Sequence, residues 1–287
     1  MKTTSTQLYV FAILRGFGQI LLQNNALSGL LFLIGVFYNS LVMAIGAIIG
    51  ALISTCTAIL LRYSKNDIEN GLYGFNGALI GIAICFFFGF NVTTFLFIAV
   101  GSLVSSILAR IINKQIPGYT SPFVVITWGI IFCMKSLMTI PFQMASLPEM
   151  NSLSLFSALS NGFGQVMFQM NTITGLFFFL AVLINSRVAA FYAVYGSILG
   201  ALVAIVLSLP LTMINAGLFG YNAILCAIAL GDKKWISFLL VTVSVILSVL
   251  LNVILMKINV ISLTAPFVIA TWLILLIKNK FSKRFQV

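Results

Sequence analysis

The chain contains itself twice. Residues 16 to 37, GFGQILLQNNALSGLLFLIGVF, realign at 162 to 183 as GFGQVMFQMNTITGLFFFLAVL, an offset of 146. At the same offset GLYGFNGALIGIA (71 to 83) becomes GLFGYNAILCAIA (217 to 229), and at 144 TSPFVVITW (120 to 128) becomes TAPFVIATW (264 to 272). The matched letters include Gly, Gln, Asn, Thr, Pro and Trp rather than interchangeable aliphatics alone, so chance does not explain three ordered blocks at nearly one spacing. A chain of this kind divides into two copies of one unit, 1 to 146 and 147 to 287.

Composition says where the two copies sit. With 61% hydrophobic residues, 7% charged residues and a mean hydropathy of +1.18, the chain is far from soluble proteins, where roughly a quarter of residues are charged. It reads as an all-α integral membrane protein. Each unit offers five long apolar segments, at 16 to 37, 41 to 61, 71 to 90, 92 to 112 and 120 to 140 in the first, and 162 to 184, 188 to 209, 216 to 230, 235 to 256 and 260 to 277 in the second. At about 20 residues per crossing these make roughly ten spans. The apolar pieces 8 to 14 and 152 to 160 are left over as interfacial or half-spanning helices.

An odd number of spans per unit inverts the second copy relative to the first. Charge agrees with that. If the first segment starts in the cytoplasm, thirteen of the fifteen Lys and Arg lie inside, and only Lys135 and Lys257 lie outside, which is the positive-inside pattern. Both termini are then cytoplasmic, in a multi-pass plasma (inner) membrane protein without a cleavable signal peptide. Short loops and compact length suit a bacterial membrane. The basic excess reads as cytoplasmic loops facing anionic headgroups, not as a nucleic-acid surface.

The interior excludes several chemistries. There is no histidine, and the acids Asp67, Glu69, Glu149 and Asp232 all fall in expected loops. The cysteines Cys56, Cys85, Cys133 and Cys226 lie in apolar runs at irregular spacing, as small core residues do. No nucleophile and base pair, metal cluster or cofactor motif is evident, so the chain is not read as an enzyme and no cofactor is expected. Ion and proton pathways place ionisable groups at membrane depth. Their absence favours an uncharged solute moving passively.

Neutral polar residues, by contrast, recur within the spans. Gln19 and Gln165, Gln23 and Gln169, Asn25 and Asn171, Ser28 and Thr174, Asn76 and Asn222, and Thr120 and Thr264 form six repeat-related pairs. Each can offer an oxygen or an amide without charge, although Ser and Thr also glue membrane helices together. Gln19 and Gln165 each follow Gly-Phe-Gly, which reads as a helix break, permitted at depth where it lines a cavity or is buried in protein. Gly71, Gly74 and Gly77, with Gly217 and Gly220, add further punctuation. Pro122 and Pro266 follow Thr120 and Thr264 at positions suited to a first helical turn. Two helices starting there from opposite sides aim positive dipole ends at the centre, repelling cations and sparing a neutral dipolar molecule. Most phenylalanines are packing or lipid-facing, but Phe75, Tyr221 and Phe168 stand within the repeated motifs, where flat faces suit a planar solute.

The set G-F-G-Q-x-x-x-Q-x-N, L-[YF]-G-[FY]-N and IPGYTSPF at 116 to 123 resembles the urea transporter family across nearly the whole chain. Of that family's L-P-x-x-T-x-P-F signature, Pro117, Thr120, Pro122 and Phe123 match and Ile116 replaces the leucine. The resemblance implies a channel-like pathway for urea on the pseudo-twofold axis, a half-spanning re-entrant helix in each half, and a homotrimer of independent pores. It implies that Gln19 and Gln165 begin the pore helices and that Thr120 and Thr264 form the central constriction. Leu22, Phe75 and Leu79, with Val166, Phe168, Tyr221 and Leu225, are implied as slot walls. The sequence departs from the pattern at Leu22, often Phe in the family, at Gln165, a carboxylate in some members, and at Val260 and Ile261, where the first copy has Ile116 and Pro117.

Other readings predict other things. A channel for short amides, ammonia, glycerol or water shares the neutral path, though no Asn-Pro-Ala and no histidine are present. An ion-coupled carrier using backbone carbonyls predicts current or pH-dependent uptake.

Overall fold

The computed structural model of the protein describes residues 5–143 and 152–284; Lys2, Glu149 and the boundary between residues 146 and 147 lie outside them. Among the described residues the chain is all helix. The first unit holds α1 (Ser5–Gln19), α2 (Ala26–Asn39), α3 (Leu41–Leu60), the short α4 (Lys65–Glu69), α5 (Gly74–Phe88), α6 (Val92–Asn113) and α7 (Ser121–Phe132), which continues as a π-helical turn, Cys133–Leu137. The second holds α8 (Leu155–Gln165), α9 (Thr172–Asn185), α10 (Arg187–Val206), the short α11 (Leu211–Asn215), α12 (Tyr221–Leu230), α13 (Trp235–Lys257) and α14 (Ala265–Arg284).

Four of these, α3, α6, α10 and α13, are 20 to 23 residues long with mean hydropathy from 2.0 to 2.8, enough at 1.5 Å per residue to cross a hydrocarbon core about 30 Å thick. The other apolar stretches are shorter, 10 to 17 residues, that of α14 being Ala265–Lys278. Residues 16 to 37 therefore do not form the continuous span their hydropathy predicts, and 8 to 14 is not a separate piece but the body of α1. Nor does the helix break at Gly-Phe-Gly. α1 runs through Gly16 and Gly18 and ends on Gln19, and α8 runs through Gly162 and Gly164 and ends on Gln165.

The glycines are there for close approach. A Cβ on Gly18 or Gly164 would overlap the carbonyl oxygen of Gln23 or Gln169, where the chain folds back over the helix end. The real break lies just beyond, at Leu22 (φ 59°) and Phe168 (φ 60°), both in the left-handed region. Asn25 and Asn171 then start α2 and α9, their side chains accepting from the N–H groups of Leu27 and Ser28, and of Ile173 and Thr174. This satisfies donors that a helix start leaves without partners. Of the glycines read as punctuation, only Gly71 and Gly217 have positive φ, 74° and 77°. Gly77 instead lets α5 pack against the α3 backbone at Gly50, as small residues do between membrane helices.

The two units meet through reciprocal contacts. Ser28 donates to the Ala181 carbonyl (2.7 Å) and its counterpart Thr174 to the Gly35 carbonyl (3.1 Å). Trp128 donates to Ile261 O (2.7 Å) and Trp272 to Pro117 O (2.8 Å). Phe32 packs edge-on against its own counterpart Phe178, with centroids 5.2 Å apart. Each contact of residue i with the equivalent of j is thus matched by one of j with the equivalent of i.

Candidate functional site

Five of the expected site residues come together around one cavity. Gln165 and Val166 at the end of α8, Phe168 in the turn after it, Tyr221 at the start of α12 and Thr264 before α14 all line a space of about 850 Å³. Part of its lining is aromatic: Phe168 lies 5.2 Å from Phe86 and 5.7 Å from Phe87, and Phe142 lies 5.4 Å from Phe87. Lys135, in the π-helical turn, also lines it, with its ammonium 4.8 Å from the Phe142 ring. A second cavity of about 410 Å³ includes Leu22, Gln23, Tyr119, Asn185 and Ser186 in its lining.

Beside the large cavity stands a pair of buried hydroxyls. Thr120 and Thr264 are bonded to each other, Oγ1 to Oγ1, at 2.7 Å. Thr264 lines the large cavity, and Tyr119, next to Thr120, lines the small one. Thr120 directly precedes α7, and Thr264 directly precedes α14, so two helix N-termini converge on this pair. Their partial positive charges oppose a cation there.

Two asparagines hold these helix starts. Asn76 Oδ1 accepts from the Phe123 N–H (3.0 Å), and Asn222 Oδ1 from the Phe267 N–H (3.1 Å). Their amides donate back to the Tyr119 and Leu263 carbonyls at 3.4 and 3.3 Å. Tyr119 (φ 46°) and Leu263 (φ 45°) are themselves left-handed. Tyr221 adds a hydroxyl bond to Leu263 O at 2.7 Å that its counterpart Phe75 cannot make. Replacing Asn76 by Leu leaves the buried Phe123 N–H without this acceptor, and the expected loss is about 2 kcal/mol. Asn222→Leu is expected to cost about the same, because the Phe267 N–H is orphaned alike. Thermal unfolding in detergent measures both.

The remaining expected residues lie differently. Phe75, Leu79 and Leu225 are packed in the core, 5%, 0% and 0% exposed, and none lines either cavity. Gln19 and Gln165 end α1 and α8 instead of beginning pore helices. The Gln19 amide donates to Asn70 O at 2.9 Å. Tyr119, Lys135 and the Phe86, Phe87, Phe142 cluster carry no repeat signature, because they lie outside the aligned blocks or where the copies diverge. Among the described residues no acid is buried: Asp67 and Glu69 belong to α4, where Lys65 and Glu69 pair at 3.7 Å, and the Asp232 carboxylate accepts from the Lys234 N–H.

Comparison with known proteins agrees with the motifs. The family model described as Urea transporter matches residues 10–279. Urea transporter 1 of Ovis aries is 29% identical over 298 residues, covering 95% of this chain and 78% of the relative. That of Rattus norvegicus is 30% identical over 241 residues, covering 76% and 62%. Both relatives are mammalian, so they lend no support to a bacterial source. A family match over nearly the entire chain, joined to an all-helical apolar fold, leaves one conclusion: the chain is an integral membrane protein that belongs to the urea transporter family.

Proposed function

We propose that the protein conducts urea passively through a path from the large cavity, past Thr120 and Thr264, to the small one. The observation that carries this reading is the bonded hydroxyl pair where two helix N-termini converge. Urea is neutral, planar and rich in N–H donors. At that point it finds oxygens in place of the water it sheds, and no fixed charge to trap it. The aromatic faces of Phe168, Phe86 and Phe87 suit a flat solute on one side, and Leu22 and Tyr119 flank the other. Gln165 offers an uncharged acceptor and donor in the lining of the large cavity.

The same reading treats residues 1 to 146 and 147 to 287 as inverted halves with the path along their pseudo-twofold axis. The charge distribution supports cytoplasmic termini in a plasma membrane, which puts Lys135 and the large cavity outside. A homotrimer of separate pores rests on the family resemblance, and its mass in detergent tests it.

Stopped-flow light scattering of proteoliposomes decides the central point. Urea entry is expected well above that of protein-free vesicles, with no current. A rate equal to empty vesicles overturns the proposal, and uptake that follows an imposed ion or proton gradient favours the coupled carrier. Faster water or ammonia entry without urea entry favours another neutral solute. The lining residues include no histidine, aspartate or glutamate, so urea flux is expected to vary less than about twofold between roughly pH 5 and 8. A sigmoidal pH profile would contradict that.

A further inference from the structure

Two repeated glutamines, Gln23 and Gln169, each directly follow a cavity-lining residue, and Gln23 lines the small cavity itself. Both are buried, 1% and 0% exposed, and each makes the same pair of bonds. The Gln23 amide donates to Leu21 O at 2.7 Å, and its Oε1 accepts from Asn185 Nδ2 at 2.8 Å. The Gln169 amide donates to Met167 O, and its Oε1 accepts from Asn39 Nδ2 at 2.8 Å. The bond to the carbonyl two residues back encircles the residue between, Leu22 in one unit and Phe168 in the other. Those are the two residues held at φ 59° and 60°, a conformation that side chains of their size disfavour. They also face the cavities, Leu22 the small one and Phe168 the large one. Asn39 and Asn185 are the last residues of α2 and α9, so each strained turn is tied to the opposite unit.

We infer that Gln169 with Asn39, and Gln23 with Asn185, are positioning residues that set solute selectivity by fixing Phe168 and Leu22 as walls of the path. This rests on the conduction reading above. The physical case is that a left-handed turn at a bulky residue persists only where its surroundings over-determine it. Here the surroundings of each turn are two side-chain amide hydrogen bonds, one within the unit and one across to the other. When the clamp is lost, the turn relaxes toward ordinary backbone, and the Phe168 ring leaves the position that limits width. Ser28 and Thr174 provide a control, since their hydroxyls also bond across the units, to the Ala181 and Gly35 carbonyls and not to either turn.

The test compares Gln169→Leu with Ser28→Ala and with the exchange Asn39→Gln plus Gln169→Asn. Urea and N-methylurea fluxes are measured in proteoliposomes, and hydrogen exchange of the 165 to 171 segment is measured in detergent. Gln169→Leu is expected to lower the urea to methylurea ratio by about tenfold and to speed exchange in that segment alone. Ser28→Ala is expected to leave the ratio unchanged, and the exchange variant to recover it at least in part. An unchanged ratio in a folded Gln169→Leu protein, or an equal change in Ser28→Ala, overturns the inference. Should Gln169→Leu fail to fold, Phe168→Gly supplies the same test, because glycine suits φ 60° and removes the wall; a ratio equal to wild type then overturns it. Absence of urea flux in the wild type removes the conduction reading, whereas the exchange measurement still decides the clamp.

Discussion

Valine at both Thr120 and Thr264 is expected to lower urea flux on the order of a hundredfold, with each single variant losing about tenfold. Valine matches threonine in shape, so width at the constriction is preserved and only the hydroxyl is lost. A bonded pair of hydroxyls uses one O–H as donor and leaves the other O–H and several lone pairs free. Urea arriving there can direct its carbonyl to the free O–H and an N–H to a lone pair, replacing water as it is stripped. Without the hydroxyls those groups cross an apolar ring with their hydrogen bonds unmade, at about 1 to 3 kcal/mol apiece. Stopped-flow flux normalised to protein content measures the loss. Serine at both sites keeps the oxygens and is expected to retain most of the flux. Equal loss with serine and with valine would show that shape, not hydrogen bonding, governs the step.

The threonine pair was legible because its chemistry is carried by neighbouring letters: Thr followed by x-Pro-Phe, twice, places a polar residue ahead of a helix that Pro can begin. Asn25 and Asn171 were legible only as a repeated polar pair, and their capping of α2 and α9 came with the structure. The breaks at 20 to 25 and 166 to 171 were legible only in part. Gly-Phe-Gly looks like punctuation, but its glycines lie inside helices and serve close backbone approach. The true turning points are Leu22 and Phe168, which carry no local turn signal and adopt positive φ because Gln23 and Gln169 bind around them. Hydropathy cannot see such a break, since both of its sides are apolar. The π-helical turn after Phe132 and the return of residues 138 to 143 across the end of α5, where the Gln143 N–H donates to Phe87 O at 2.7 Å, are likewise set by tertiary packing. So is the asymmetry between the cavities, because α14 runs on as regular helix where α7 does not.

Gly29 and Gly175 are expected to tolerate no β-carbon. In each unit the half-length helix and its successor form a hairpin, α1 with α2 and α8 with α9, held so close that a Cβ on Gly29 would overlap the Leu14 carbonyl oxygen and one on Gly175 the Ser160 carbonyl oxygen. Both neighbours are backbone, so relief requires the helices to separate, which also pulls on the turn that holds Leu22 or Phe168. Alanine at either site is expected to cost on the order of 3 kcal/mol, and valine to leave no monodisperse protein. Gly129 in α7 is the contrasting case, with nothing within 4 Å of an added Cβ. There alanine is expected to stabilise by about 0.5 to 1 kcal/mol, through lower entropy of the unfolded chain. Thermal melts followed by helical circular dichroism and size exclusion separate the two classes. Similar melting of Gly29→Ala and Gly129→Ala would mean that the hairpins are looser than this packing requires. The cavity walls would then owe their positions to the cross-unit amide bonds alone.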